Sequence, residues 1–539
     1  MIDDQSRRSV LKGLSLSVAS TVGSSAAATA DIGPATPARR MASALQLRIA
    51  AARHQLAGTR SVNPVHDIER GEAHRFFCKG LPHDENGRVL PNSYDALNDM
   101  LANQDRTAAW LVYGKQGRPL NNPLSGHGFA LAGSDPQSLY IPPPSNFESD
   151  ETAGDMIELY WMSLLRDVPF SEYQESELVG AAVKELTALG RVPSRLPASA
   201  PLAWQYLDAG SGLAGPTVSQ FLLLNIPYGP SNIAQTYPCS TPGQTFLDTI
   251  SEMLKIQSGN IPDRKTRFLD APRYLISGRD LAEYVRRDFT YQPFLNAALI
   301  IMASGDSAFS DNDLSRRRAG YANDILFGDK SVLSLLGEVS LTAQKAAFFL
   351  KWQCFRRLRP EELGLRVAMH RQGLANFKLP KVLLDSQGVA RAEEKYGRAL
   401  LVQAYPEGSP LHPSYPAAHA VNAGACGTIL KAFFDSEHVI RTPVKPSING
   451  HMLMPYNDTA LIVADEIDKL IINISVARSF AGVHFRSDNL SGIVLGEQIA
   501  ISFLQDYART IPRRFSGFML RTFDGRQLKV TSSEIIHQK

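Results

Sequence analysis

The chain has 539 residues, 44% hydrophobic and 20% charged, which suits a globular protein with one large core or two to three ordinary domains. Its 56 Lys and Arg against 53 Asp and Glu leave a net charge of only +3, so no overall basic field points to nucleic acid or to an acidic membrane surface, and any cationic site must be local. The cysteines Cys78, Cys239, Cys354 and Cys426 lie far apart without CxxC spacing, which argues against a zinc site or a disulfide scaffold and leaves room for one or two disulfides.

In chain order, the first stretch reads SRRSVLKGLSLSVASTVGSSAAATA, with paired Arg7 and Arg8, a modest apolar run over Leu14 to Val22, and Ala28-Thr29-Ala30 before Asp31. This has the form of a twin-arginine export signal over residues 1–30 and predicts export after folding, to the periplasm or outside the cell. No later segment offers the roughly 18 consecutive apolar residues of a membrane span, so no membrane partner is expected. Residues 31–150 mix polar stretches with turn formers, PPPSNFESD after Tyr140 among them, and predict irregular structure packed on the core. From 151 onward apolar residues recur three and four apart, predicting helices near 151–166, 172–188, 244–257, 293–303, 341–355, 391–404, 419–435, 457–478 and 488–508. Alternating strand patterns are scarce and short. The expected fold is mainly α, a helical bundle in which residues 151–539 form one catalytic unit.

Three stretches carry chemistry. In KWQCFRRLRPEEL, Lys351 and Arg359 stand on a segment whose helix is expected to end at Pro360. In LHPSYPAAHAVNAGA, His412 precedes a Pro-Ser-Tyr-Pro turn and His419 follows it in the first turn of a helix, where free N–H groups and positive potential favour an anion. In SVARSFAGVHFRSDNLSG, Arg478 ends one apolar helix and His484 begins the next, four residues before Asp488. That spacing predicts one shared helix face, on which Asp488 takes the Nδ1 proton and leaves Nε2 as a free lone pair, suited to a metal or to a nucleophile's task. Three fixed cations, two helix N-termini and two histidines of separate role make a kit for a tetrahedral oxyanion.

The order Lys-x7-Arg-Pro, His-Pro-Ser-Tyr-Pro-x-x-His and Ser-x-x-Arg-x5-His-x3-Asp resembles the vanadium-dependent haloperoxidases, relatives of the type 2 phosphatidic acid phosphatases. Likeness is strongest over about 341–505, and ELYWMSLLRDVPF at 158–170 looks like bacterial members. The resemblance implies a helical bundle of the vanadium haloperoxidase and acid phosphatase type. It also implies a vanadate cofactor coordinated axially by His484, with its equatorial oxygens held by Lys351, Arg359 and Arg478. His419 would be the acid–base residue, Asp488 would steady His484 from behind, and His412 would lie near the halide path. Family members commonly carry Ser-Gly where this chain has Ala417-Ala418. Alanine at 417 offers vanadate no hydroxyl, and alanine at 418 keeps its N–H but requires a negative φ.

The implied reaction oxidises halide with hydrogen peroxide, bromide and iodide before chloride, to a hypohalous acid equivalent that halogenates a small organic acceptor. The implied assembly is a homo-oligomer. The rival readings are a phosphatase with His484 as nucleophile, a vanadium-independent enzyme of the same fold, and a non-catalytic oxyanion-binding protein. Phosphatases of the superfamily usually have one residue fewer than the seven between Lys351 and Arg359.

Overall fold

Helices dominate because apolar stripes three and four apart must find partners, and most of them meet other helices. A computed structural model describes residues 36–59, 76–85, 87–104, 117–191, 213–312, 314, 325–511 and 515–538; the expected export signal lies outside them. The described α-helices are α1 (Pro37–Ala57), α2 (Pro91–Asn103), α3 (Asp150–Leu165), α4 (Glu177–Ala188), α5 (Ile250–Gln257), α6 (Gly278–Arg287), α7 (Gln292–Met302) and α8 (Asp329–Phe349). They continue with α9 (Pro360–Arg371), the one-turn α10 (Lys381–Leu384), α11 (Gln387–Tyr396), α12 (Ala418–Phe433), α13 (Val463–Phe480) and α14 (Arg486–Thr510).

The hub is α12, which packs on α14, α8 and α13, while α13 also packs on α6. Every residue of α12 except His419 is buried. Glycines set its distance from α14. A Cβ at Gly424 would collide with the Ile493 carbonyl, and one at Gly496 with the Val421 carbonyl, so the two helices touch backbone to backbone. Around this centre lie helices that are apolar on nearly all sides. α3 buries fourteen of its sixteen residues, its start set by the Ser149 hydroxyl accepting from Thr152 N at 3.1 Å.

Strands are short and antiparallel. β1 (Ile226–Tyr228) pairs with β2 (Ser231–Ile233), and β3 (Val444–Pro446) with β4 (Leu453–Pro455). β5 (Phe518–Arg521), β6 (Gln527–Val530) and β7 (Ile535–His537) form a sheet with Phe518 opposite Val530 and Val530 opposite Ile535. It is anchored at both ends of its first strand. Phe518 packs on Phe433 at the end of α12, and the Arg521 guanidinium donates to Asp465 (2.6 Å) and Asp468 (2.8 Å) of α13.

The mainly α expectation agrees with the structure, and several local expectations do not. Residues 31–150 are not uniformly irregular, since α1 and α2 lie there, each opened by a proline in its first turn. The helix carrying Lys351 does not run to Pro360. α8 passes into a π-helical turn over Leu350–Phe355, closed by Arg356 in the left-handed region, and Pro360 then starts α9. Pro360 serves as a first helical residue, where its missing N–H costs nothing, rather than as a stop. All four cysteines are buried and none is in a disulfide, so the disulfides left open by the sequence do not form. No helix among the described residues is long and apolar enough to cross a membrane.

Candidate active site

The π turn places Lys351 in the interior, where its ammonium donates to the carbonyls of Pro413 (2.8 Å) and Ser414 (2.7 Å). The lysine therefore holds the Pro-Ser-Tyr-Pro turn that leads into α12. Arg359 is also fully buried, and its Nε donates to the His412 carbonyl at 2.8 Å. Its Nη1 meets the Val483 carbonyl at 2.8 Å and His484 Nε2 at 2.9 Å, while Nη2 is 2.9 Å from His412 Nδ1. An arginine can only donate, so His484 Nε2 is a lone-pair acceptor. The proton then sits on Nδ1, which faces Asp488 Oδ2 at 2.9 Å.

Burial is the largest influence on all of these groups. It pulls Lys351 well below the ordinary ammonium value, with Arg359 next and Arg478 adding to it, while Asp488 opposes. It pulls Arg359 down to about 9, with Arg478 the next cause. His484 and His412 both fall well below the ordinary imidazole value, first through burial and then through Arg359 and Lys351. Both rings are therefore neutral at neutral pH. Arg478, in the last turn of α13, donates to the Val285 carbonyl at 3.2 Å, faces the Tyr405 ring at 5.8 Å, and leaves its buried Nε without a partner.

His419 is the second residue of α12, and 16% of its side chain is exposed. Its Nε2 lies 3.0 Å from Oδ1 of buried Asp288, just beyond α6. A carboxylate only accepts, so the imidazole proton faces Asp288 and Nδ1 is left to take or give a proton. The two alanines before it differ in use. Ala417, expected beside the cofactor, has its N–H spent on the Asp488 carbonyl at 3.0 Å. Ala418, with negative φ, opens a first turn that no side chain caps.

The structure thus brings Lys351, Arg359, His412 and His484 into one bonded cluster, electrostatically joined by Arg478 and His419. One reason given for it was wrong. His484 and Asp488 do not share a helix face, because His484 precedes α14; Asp488, in its first turn, reaches back to His484 Nδ1 and to Phe485 N (3.0 Å). Three residues were missed. Asp288 carries no local signal, lying 131 positions from His419. Ser414, inside the quoted turn, donates to Asp488 Oδ2, and Arg357 donates to Oδ1 at 2.7 Å.

This donor set fits an oxyanion. Arg359 and Arg478 lower the proton affinity of Lys351, Arg478 lowers that of Arg359, the Nε of Arg478 has no partner, and one imidazole lone pair faces the cluster. An added negative charge would relieve that repulsion.

Comparison with known proteins agrees with this reading. Residues 342–512 match the family model described as "VCPO second helical-bundle domain". A vanadium-dependent bromoperoxidase of Ascophyllum nodosum is 30% identical over 529 residues, covering 92% of this chain and 93% of that protein. One of Corallina officinalis is 30% identical, covering 84% and 90%. The homohexameric structure of the second vanadate-dependent bromoperoxidase of A. nodosum superposes with a TM-score of 0.85 at 25% identity, covering 96% of this chain and 95% of that one. Fold and pocket define an oxyanion-cofactor enzyme built on a helical bundle. The chain belongs to the vanadium-dependent haloperoxidases, and its cofactor is vanadate. These relatives are algal, whereas the sequence likeness had pointed to bacterial members.

Proposed function

We propose that this enzyme oxidises bromide and iodide with hydrogen peroxide, with chloride slow or absent, to a hypohalous acid equivalent that halogenates an electron-rich organic acceptor. The observation that carries the reading is the His484 Nε2 lone pair facing a buried, under-compensated trio of Lys351, Arg359 and Arg478. Those four residues, with the Ala418 N–H, would hold vanadate. Bound there, vanadate supplies Lewis-acid activation of peroxide without a change in its own oxidation state.

The chain's other groups handle position and protons. Asp288 orients His419 through Nε2, and Nδ1 takes a proton from incoming peroxide and returns it to the departing oxygen. Burial of His484, Arg359 and Lys351 keeps water away, and His419 is the member of the group that reaches solvent. His412, neutral and braced against the Phe348 ring at 5.0 Å, lies beside Arg359 where a halide would be steered by positive charge. Bromide preference is supported by the names of the 30%-identical relatives and by Ala417, which removes one hydrogen bond that would draw charge from the cofactor.

The test is bromination of monochlorodimedone with peroxide and bromide, with and without orthovanadate, beside hydrolysis of p-nitrophenyl phosphate. Bromination that depends on orthovanadate supports the reading, and phosphate-ester hydrolysis alone would overturn it. Rates with bromide, iodide and chloride at matched peroxide test the halide order; efficient chloride turnover would refute that order and leave the vanadium assignment standing. A homo-oligomer is proposed on the homohexameric relative, and export through the twin-arginine route, to the periplasm or outside the cell, on Arg7 and Arg8 and the segment after them.

A further inference from the structure

Arg357 lies between the π turn and Arg359, and both faces of its backbone are pinned. Arg356 O accepts from Phe77 N at 2.8 Å, and Arg357 O accepts from Ser414 N at 2.9 Å. Its guanidinium is buried, 4.0 Å over the Phe485 ring. From there it reaches the carboxylate behind His484. The two oxygens of fully buried Asp488 are committed differently. Oδ2 accepts from His484 Nδ1 (2.9 Å), Phe485 N (3.0 Å) and the Ser414 hydroxyl, all neutral donors. Oδ1 accepts from Arg357 Nη1 at 2.7 Å, the cation in direct contact with this carboxylate.

The arginine is itself held in place. Nη1 also meets the Ser487 hydroxyl at 2.7 Å, and Nη2 lies 3.6 Å from Asp155 Oδ2 on α3. Ser487 donates to the same Asp155 oxygen at 2.5 Å, and Arg191 pairs with the other one. Without Arg357 the Asp488 carboxylate would keep three neutral donors on one oxygen and none on the other. It would then be free to swing about its Cβ–Cγ bond and release the imidazole ring.

We propose that Arg357 is a positioning residue for vanadate. It locks Asp488 in the orientation that presents Oδ2 to His484, and so keeps the His484 Nε2 lone pair aimed at the Lys351, Arg359 and Arg478 cluster. This rests on vanadate binding at His484. A stacked arginine suits the task because the two N–H groups of the one nitrogen Nη1 can satisfy Asp488 and Ser487 together while the guanidinium plane lies on Phe485.

The experiment measures vanadate affinity of the full-length protein by equilibrium dialysis with orthovanadate, for wild type, R357M, R357K and H484A, beside kcat at saturating orthovanadate. R357M keeps the stem over Phe485 and removes the charge. Its vanadate Kd should rise about 10–100-fold while kcat at saturation stays within about threefold, because Arg357 does not touch the reacting atoms. R357K should fall between, since lysine keeps the charge for Oδ1 but has no planar guanidinium to stack on Phe485 and fix its direction. H484A should lose binding. An R357M protein that binds vanadate as wild type does, while H484A does not, overturns the proposal and spares the site assignment; an H484A protein that binds normally overturns the assignment itself. If circular dichroism shows R357M unfolded, R357K decides, and a wild-type Kd in that variant overturns the proposal. A merely structural arginine would lower the melting temperature of R357K and leave its Kd unmoved.

Discussion

His419 and His484 are the same side chain in the same pocket, and their carboxylate partners give them opposite tasks. Asp488 holds Nδ1 of His484 and frees Nε2, while Asp288 holds Nε2 of His419 and frees Nδ1. His484→Ala should therefore abolish stoichiometric vanadium in the purified protein, measured by elemental analysis; a mutant that still carries one vanadium per chain would sink the assignment. His419→Ala should keep the vanadium and lose turnover by roughly 10²- to 10⁴-fold, as expected for a general acid–base group. Asp288→Asn should act in the same direction and less severely, because an amide can still accept from Nε2 but stabilises the charged ring poorly; an unchanged kcat would make Asp288 a structural cap only. At this scale the sequence was informative where motif residues are close along the chain. It was silent on Asp288, whose contact exists only after α6 and α12 have each packed on α13.

At the scale of elements, helix positions were legible where apolar stripes are long, as in α3, α12, α13 and α14. They were not legible where proline has two meanings. Pro360 reads as a stop and is the first residue of α9, a distinction settled by the π turn upstream rather than by any local residue. The C-terminal sheet escaped notice because its short strands need Phe433 and Asp468 of distant helices as a bed. The α12–α14 crossing makes a firm prediction. Gly496→Ala or Gly424→Ala must separate two backbones, so each should cost at least the roughly 1–3 kcal/mol of core overpacking and depress vanadate affinity with it. Calorimetric melting together with vanadate dialysis would check this, and a wild-type melting temperature in either variant would contradict it.

For the whole molecule, Glu158 and His83 are two of the groups outside the pocket through which stability should follow pH. Burial raises Glu158 to about 7 against the opposing pull of Arg486, so its contribution is full below the ordinary carboxyl value near 4.5 and is lost as pH rises through about 7. Glu158→Gln should lessen the fall of the melting temperature over that window, the rest of which belongs to Glu497, also raised to about 7 by burial. Burial lowers His83 to about 4, so its contribution is full above 6.5 and is lost as pH falls through about 4. His83→Gln should remove that acid-side decline, and melting curves taken between pH 4 and 7 would show whether the two slopes belong to these residues.

The glycine crossing also bears on how such an enzyme can change over generations. His419 and His484 ride on, or just before, two helices whose separation is determined by main chain alone. The side chains of His412 and Phe348, which meet beside Arg359, take no part in that backbone contact. Mutational drift can therefore reshape the walls and retune which halide or acceptor is taken, while the span between the cofactor's anchor and its proton handler is inherited unaltered.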